Sequence, residues 1–179
     1  LPSKKEIFMA AKTLFGLKFR VKPVNYYVAM KRIKLAEKFL TKNGKILDVG
    51  CGDMYITNKL IKEGYNIIGI DRTKPYHLKM DATNMSFKDN SFDMVIAFEP
   101  IEHCDCINEI KRILKPGGKL VLSTPAPNTD WLRTILVKLR LLEARDFEHH
   151  DHIVDNIEML PFKPILIKKM FLRTSQFGV

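Results

Sequence analysis

The sequence predicts an α/β fold in which helices cover both faces of a mostly parallel sheet. Short apolar segments with the length of strands alternate along the chain with longer amphipathic segments typical of helices. The predicted strands are continuous apolar runs, as expected for strands that are buried on both faces. At 179 residues, the chain is long enough for one such domain and too short for two ordinary ones.

The predicted elements follow one another in the order that this fold requires. The strands are predicted over 45–49, 66–70, 76–79, 91–98, 119–124 and 164–172, and the helices over 23–40, 55–63, 107–114 and 131–142. Only nine residues separate Asp71 from Asp81. The segment 76–79 is therefore either a short edge strand without its own helix or part of a loop that crosses the sheet.

Positive charge is concentrated at the start of the chain. Residues 1–40 contain ten Lys or Arg and two Glu, a net charge of +8 out of the +10 of the whole chain. This predicts a basic helical cap over 1–44 and a ligand-binding domain over 45–179. Three interpretations of the cap stay open: a solvated face over the core, a contact with a membrane surface, or RNA binding, for which no accompanying motif is present.

Cysteine and histidine usage bears on compartment and on metal binding. Cys51, Cys104 and Cys106 are odd in number, which is typical of a reducing compartment. With no apolar run near the ~20 residues of a membrane span and no signal peptide, we expect a cytoplasmic protein, peripheral to the membrane if the basic cap binds lipid. The spacing within 149–152 and in Cys104-x-Cys106 matches no metal pattern, so we predict no metal site.

The turn after the first core strand predicts a cofactor site. Asp48 ends that strand, Gly50 and Gly52 follow it, and Asp71 closes the second strand 23 positions after Asp48. Glycines let the backbone approach a ligand, and a carboxylate at this distance accepts hydrogen bonds from ribose hydroxyls. A dinucleotide is disfavoured because its third glycine would fall at Tyr55, and because Asp48 would repel phosphates but attract ammonium and sulfonium groups.

Six segments occur in one order that resembles the class I S-adenosylmethionine-dependent methyltransferases, in particular their type 11 group of small-molecule enzymes. They are Ile46–Gly52, Gly69–Asp71, Asp81–Thr83, Ser91–Ile96, Glu102-His103 and Leu114–Leu120. The resemblance implies a Rossmann-like three-layer sandwich with a seven-stranded sheet in the order 3-2-1-4-5-7-6, the last strand antiparallel. The chain ends where that strand should begin, so we expect it to be truncated.

The resemblance also implies the cofactor and the residues that contact it. The cofactor is S-adenosylmethionine and the product S-adenosylhomocysteine. Asp48, Gly50, Cys51 and Gly52 would follow the methionine part, Asp71 the ribose, Asp81 and the backbone of Ala82 the adenine, and Phe98 and Glu99 the reacting methyl group. One departure is Met54, which stands where the family has a third glycine, so the turn is expected to differ or to bind more weakly.

The residues after the fourth strand suggest the chemistry. His103 is the candidate general base, because its ordinary pKa is near ~6.5, and Glu99 is the candidate group that orients the acceptor. The predicted activity is methyl transfer to a small-molecule or lipid-linked acceptor. Two alternatives stay open: an RNA methyltransferase that uses the basic cap, or a catalytically degenerate module that binds the cofactor or a partner.

Overall fold

A seven-stranded sheet organises the molecule. The computed structural model describes residues 23–73, 76–98, 100–101, 104–125, 135, 138, 160–170 and 175–178. The strands are β1 (Lys45–Val49), β2 (Asn66–Asp71), β3 (Leu78–Lys79), β4 (Phe92–Phe98), β5 (Leu114–Pro125), β6 (Ile167–Met170) and β7 (Ser175–Gly178). The helices are α1 (Pro23–Ala36), α2 (Tyr55–Lys62) and α3 (Ile107–Ile113).

The order of strands across the sheet is β3-β2-β1-β4-β5-β7-β6. The first five strands in this order are parallel, and β7 pairs antiparallel with both β5 and β6. This confirms the mostly parallel α/β fold and the predicted order. The seventh strand, expected to be truncated, is present as four residues that pair with Leu122–Pro125 of β5.

Each face of the sheet carries its own apolar cluster. On one face, Ile33 and Ala36 of α1 and Leu60 of α2 pack against side chains of β1, β2, β4 and β5. On the other face, Ile110 and Ile113 of α3 pack against the alternate positions of the same strands. This is the alternation that a pleated strand imposes on neighbouring residues. Helix α1 of the predicted cap thus shares a core with the sheet.

Two predicted boundaries differ from the structure by four residues or more. β5 begins at Leu114, although Lys115-Pro116-Gly117-Gly118 reads as a stop, because the segment pairs with β4 on both sides of a register shift. Helix α1 ends at Ala36, four residues before its predicted end, and continues as a turn closed by bonds from Phe39 and Leu40 to the Ala36 carbonyl.

The remaining predictions concern a helix over 131–142 and membrane spans. Ile135 and Lys138, the two described residues of that predicted helix, are helical. Among the described residues, no helix combines the length and the apolar character needed to cross a bilayer.

Candidate active site

The candidate site lies where β2, β1, β4 and β5 reach their carboxyl ends, on the face that α1 and α2 cover. Residues of one strand alternate between faces, and register fixes which residues of neighbouring strands share a face. Ile67, Ile46 and Ile96 belong to the cluster under α1 and α2. Asp71, Asp48 and Phe98 lie on the same face, two or four positions further along their strands. The topology therefore brings together residues that are 50 positions apart in the sequence.

The glycine turn is held by its own backbone. The N–H groups of Gly50 and Cys51 both donate to the carbonyl of Ile70, at 2.9 and 3.1 Å, which ties the end of β1 to the end of β2. Gly50 has φ 68°, and a Cβ there would lie 3.0 Å from Cβ of Pro100. The turn therefore needs glycine at position 50 both for its conformation and for close packing with the segment after β4.

Met54, at the place of the family's third glycine, has a left-handed backbone. Its φ is 58° and its ψ is 15°, a conformation that glycine adopts at little cost. Its side chain is 7% exposed and packs into the protein, and this burial offsets part of the strain. The expectation that the turn differs or binds the cofactor more weakly stays a prediction.

Asp71 is engaged on both of its carboxylate oxygens. Oδ2 accepts a hydrogen bond from the Gly52 N–H at 3.0 Å. Oδ1 accepts from the N–H and the hydroxyl of Thr73, at 2.9 and 3.0 Å. A carboxylate has about four acceptor positions, so it can still receive a ribose hydroxyl, and a second by displacing the Thr73 side chain. The N–H groups of Gly50, Cys51 and Gly52 are all engaged within the protein, so none of these three is an unpaired donor for a ligand.

Asp48 is a buried acid at the centre of the site. It is 3% exposed, and its Oδ2 accepts a hydrogen bond of 2.5 Å from the Thr57 hydroxyl of α2. The pKa of Asp48 is raised to about 7, mainly by burial of its carboxyl group. The hydrogen bond from Thr57 opposes this rise, and the charges of Asp53 and Asp71 add to it. A cationic group bound beside Asp48 would relieve this repulsion and favour its ionised form.

Cys51 is inert in this setting. It is 8% exposed, and its Sγ lies where a Cβ on Gly69 would approach within 3.0 Å. Burial and the charges of Asp48 and Asp71 raise the pKa of its thiol to about 12, so the thiolate needed for nucleophilic chemistry does not form near neutral pH. Its contribution to the predicted site is shape. Cys51, Cys104 and Cys106 form no disulfide bond with one another.

Asp81 and Ala82 follow β3 at the edge of the site. Oδ1 of Asp81 accepts from the N–H and the hydroxyl of Thr83, both at 2.8 Å, and these bonds lower its pKa. These bonds form an Asx turn. Ala82 is half-buried against the apolar cluster on the face that α3 covers. The predicted contact of both residues with adenine stays a prediction.

The fourth strand ends in Phe98, whose ring lies under a cation from α1. Cζ of Arg32 is 5.8 Å from the centroid of that ring. Glu99, His103 and the 149–152 stretch lie outside the described residues, so their predicted roles stay predictions. Pro100 and Ile101, which follow Glu99 and precede His103, are buried, and Pro100 lies against Gly50 of the turn. Among the described residues, no cluster of three or more His, Cys, Asp or Glu is arranged to hold a metal ion.

Sequence reasoning missed three contributors: Thr57, Asp53 and Arg32. Thr57 and Asp53 follow the glycine turn closely, and a polar residue in the first turn of the next helix is a signal that could have found Thr57. Asp53 precedes the N-cap residue Met54, and its Oδ1 accepts a hydrogen bond from the N–H of Tyr55, the first residue of α2, at 3.1 Å. Arg32 is one of several cations in α1, and only packing distinguishes it.

Comparison with known proteins decides the family. The family model described as "Methyltransferase domain" matches residues 47–122, the span from β1 to β5. Residues 47–122 therefore form a class I S-adenosylmethionine-dependent methyltransferase domain of the type 11 group. The family predicted from the sequence motifs is confirmed, and S-adenosylmethionine is the cofactor of this methyltransferase domain.

The chain is also similar to individual proteins over longer spans. A Methanocaldococcus jannaschii protein is 28% identical over 156 residues, which cover 81% of this chain and 67% of that protein. A ubiquinone biosynthesis O-methyltransferase of Rickettsia bellii is 30% identical over 131 residues, 62% of this chain and 53% of the enzyme. The chain thus spans about half the length of the curated ubiquinone biosynthesis O-methyltransferases that it matches.

Two solved structures share the fold. A protein of Pyrococcus horikoshii superposes with a TM-score of 0.68 at 20% identity, over 86% of this chain and 90% of its own. A SAM-dependent methyltransferase of Methanosarcina mazei superposes with a TM-score of 0.57 at 23% identity, over 80% of this chain and 94% of its own. At these identities the similarity establishes the fold of the methyltransferase domain and nothing finer.

The described residues fit the cofactor by charge and by shape. The sulfonium and ammonium of S-adenosylmethionine are cations, and three carboxylates, those of Asp48, Asp53 and Asp71, surround the glycine turn. Gly50 and Gly52, with φ 68° and 53°, give the turn a tight backbone path beside these carboxylates. Asp71 stands at the end of β2, where a ribose is held in this class of sheet.

Proposed function

We propose that this chain transfers the methyl group of S-adenosylmethionine to a small-molecule or lipid-linked acceptor. The observation that carries the proposal is the acidic turn: Asp48, Asp53 and Asp71 stand together at the carboxyl ends of β1 and β2. Their combined charge favours a cationic ligand and disfavours a phosphate-bearing one. The matched relatives named as ubiquinone biosynthesis O-methyltransferases support a small acceptor that is methylated on oxygen.

The chain's contribution to this reaction is position and charge. The cofactor supplies a methyl group on a positively charged sulfur, which is a good leaving group. Asp71 holds the ribose, Asp81 and Ala82 hold the adenine, and the turn from Asp48 to Gly52 holds the methionine part. Fixing the methyl group against an acceptor atom removes much of the entropic barrier to an in-line displacement.

The acceptor's proton has to be removed as the new bond forms. His103 is the proposed base, because it follows β4 at the ligand-binding end of the sheet and an imidazole accepts a proton near neutral pH. Glu99, directly after Phe98, is proposed to orient the acceptor hydroxyl by accepting a hydrogen bond. Both assignments rest on position in the chain relative to β4.

A transfer assay with cofactor labelled on its methyl group tests the proposal. Wild-type protein is incubated with a polar small-molecule extract, a lipid extract and total RNA, and label is counted in each fraction. We expect label in the small-molecule or lipid fraction, and a loss of about 10²–10⁴-fold in His103→Ala with S-adenosylhomocysteine affinity unchanged. Label in RNA alone, or no label in any fraction from protein that binds the cofactor, would contradict the proposal.

A further inference from the structure

Cys104 and Cys106 lie close together in the segment that connects β4 to α3. Cys104 is half-buried, whereas Cys106, directly before α3, is fully buried. The N–H of Cys106 donates to the carbonyl of Cys104 at 3.0 Å, which closes a turn with Asp105 at its tip. Even an extended chain separates the Cα atoms of residues i and i+2 by at most about 7 Å. The turn shortens this separation into the range of roughly 4.4–6.8 Å over which a disulfide joins two residues.

The two thiols also interact with each other. The Cys106 thiol donates a hydrogen bond to the Cys104 sulfur, and this bond is the main reason why the pKa of Cys104 is lowered. Burial and the charges of Asp81 and Asp105 oppose that shift, and the charge of Arg72 supports it. The same bond and burial raise the pKa of Cys106. Because the thiolate is the nucleophilic form of cysteine, Cys104 is the reactive member of the pair and Cys106 its neutral neighbour.

We propose that Cys104 and Cys106 form a reversible disulfide when the protein meets a hydroperoxide, and that this disulfide weakens cofactor binding. A redox-sensing cysteine has thiolate character, access to solvent and a second cysteine close by, and Cys104 combines the three. Cys51 is the contrasting case, because it is buried and the pKa of its thiol is raised to about 12. A transient bridge is compatible with the reducing compartment that the odd number of cysteines predicts.

The oxidation takes two steps. The Cys104 thiolate attacks one oxygen of the hydroperoxide, so that an S–O bond forms, the O–O bond breaks, and the departing oxygen takes a proton from water. The Cys106 thiol then attacks the sulfur of the resulting sulfenic acid, its proton leaves with the hydroxide as water, and an S–S bond replaces the S–O bond. The two thiols are oxidised by two electrons, and the hydroperoxide is reduced to an alcohol and water. A bridge between residues so close in the chain closes a small ring, and strained bridges are readily reduced by thiols.

A series of contacts connects Cys104 with the glycine turn. The protonated Cys104 thiol donates to the carbonyl of Pro100 at 3.3 Å. A Cβ on Gly50 would lie 3.0 Å from Cβ of Pro100, so this proline packs closely against the turn. A disulfide sulfur carries no proton, so oxidation removes the bond to Pro100 and loosens the segment that supports Gly50. The effect on the cofactor therefore rests on the placement of S-adenosylmethionine at this turn, whereas the oxidation itself does not.

Peptide mapping and calorimetry on one sample test both parts of the proposal. Reduced protein is treated with hydrogen peroxide, the remaining thiols are alkylated in urea, and trypsin then releases Cys104 and Cys106 in peptide 89–111 and Cys51 in peptide 46–59. We expect peptide 89–111 to lose two hydrogen atoms and to escape alkylation, and peptide 46–59 to be alkylated. The affinity for S-adenosylhomocysteine should fall at least about tenfold on oxidation and recover after treatment with dithiothreitol.

Three variants separate the roles of the two thiols. Cys106→Ser should stop at a sulfenic acid on Cys104, which dimedone traps, and should form no disulfide. Cys104→Ser should keep its affinity for S-adenosylhomocysteine after peroxide treatment. Asp105→Asn is the matched control, because it keeps both thiols. It should form the disulfide at least as fast as wild type, since the charge of Asp105 raises the pKa of Cys104.

The possible failures are distinguishable. A peptide 89–111 that stays reduced, or equally rapid oxidation of Cys51, overturns the oxidation site. A disulfide that leaves the affinity for S-adenosylhomocysteine unchanged overturns its effect on the cofactor, and so does an equal loss of affinity in peroxide-treated Cys104→Ser. If reduced wild type does not bind S-adenosylhomocysteine, the proposed function fails, and the effect on the cofactor fails with it. The peptide map still decides for or against the disulfide in that case.

Discussion

Oδ2 of Asp71 accepts a hydrogen bond from the backbone N–H of Gly52 at 3.0 Å. The residue proposed to hold the ribose therefore also fixes the glycine turn that receives the rest of the cofactor. Since Oδ1 is engaged by Thr73, the carboxylate is already oriented before a ligand arrives. Pre-orientation of this kind reduces the entropic cost of binding.

The left-handed backbone of Met54 predicts that glycine is better tolerated than alanine at position 54. Met54→Ala and Met54→Gly both remove the buried side chain, but only glycine adopts φ 58° without strain. Within a helix alanine is the more stabilising of the two. At position 54 we expect Met54→Gly to be more stable than Met54→Ala by about 1 kcal/mol.

Urea denaturation of both variants measures this difference. The control pair is Ile61→Ala and Ile61→Gly, within α2 and on its exposed side, where alanine should be the more stable. If Met54→Ala exceeded Met54→Gly, the turn would not have the left-handed conformation at this position.

Because Asp48 is a buried acid with a raised pKa, we expect the free energy of unfolding to fall as pH rises. Its pKa is about 7 in the folded protein and 3.8 ordinarily, so between these values the folded state binds more protons than the unfolded state. The free energy of unfolding therefore decreases with rising pH through this window. Asp48→Asn removes the effect, and its stabilisation relative to wild type should be about 2–3 kcal/mol larger at pH 8 than at pH 5.

Asp93 is a control whose effect on stability should change with pH in the opposite direction. Its carboxylate accepts bonds from Lys115 Nζ at 2.7 Å and from the Lys45 N–H at 2.8 Å, and these lower its pKa. Its contribution to stability is therefore present above its ordinary pKa and lost as pH falls. Asp93→Asn should destabilise the protein at pH 8, where Asp48→Asn stabilises it. Equal pH profiles for Asp48→Asn and wild type, measured by urea denaturation, would show that Asp48 is not a buried acid.

The positions of β1, β2 and β4 along the chain could be predicted because they are apolar runs with clear ends, whereas their order across the sheet followed from the family resemblance. β3 has only two residues, and pairing with β2, not its own sequence, makes it a strand. The start of β5 at Leu114 could not be predicted for a similar reason. Its Pro-Gly-Gly segment has the composition of a turn, but the ladder with β4 continues on both sides of it.

The glycine turn was more predictable than the side chains that pack beside it. Gly50, Gly52 and Asp71 follow from spacing, because the chemistry of ribose and of a tight turn restricts which residues serve. Arg32 carries no such signature, because several cations in α1 look alike in sequence and only packing places one of them over the Phe98 ring.

Arg112 holds the loop that leads from Asp81 to β4, so its replacement should loosen that loop. It donates five hydrogen bonds, to the carbonyls of Met85 and Phe87 and to the carboxylates of Asp89 and Glu109. An ammonium has three donors at one point and cannot reproduce this fork. We expect Arg112→Lys to lower Tm by several degrees and to speed hydrogen exchange at the Met85 N–H, which donates to Glu109. Lys111→Arg, on the neighbouring position, is the control, and unchanged exchange at Met85 in Arg112→Lys would contradict this role.

The most direct test of the account is a calorimetric titration with S-adenosylmethionine, S-adenosylhomocysteine and NAD on wild type, Asp71→Ala and Asp71→Asn. We expect binding of both adenosyl ligands near ~1 μM, about −8 kcal/mol, and none of NAD. Affinity should be lost in Asp71→Ala and reduced at least about tenfold in Asp71→Asn, because an amide keeps one acceptor oxygen but no charge. Adenosyl binding that is unaffected in Asp71→Ala, or the absence of binding in folded wild type, would contradict the assignment of this turn as the cofactor site.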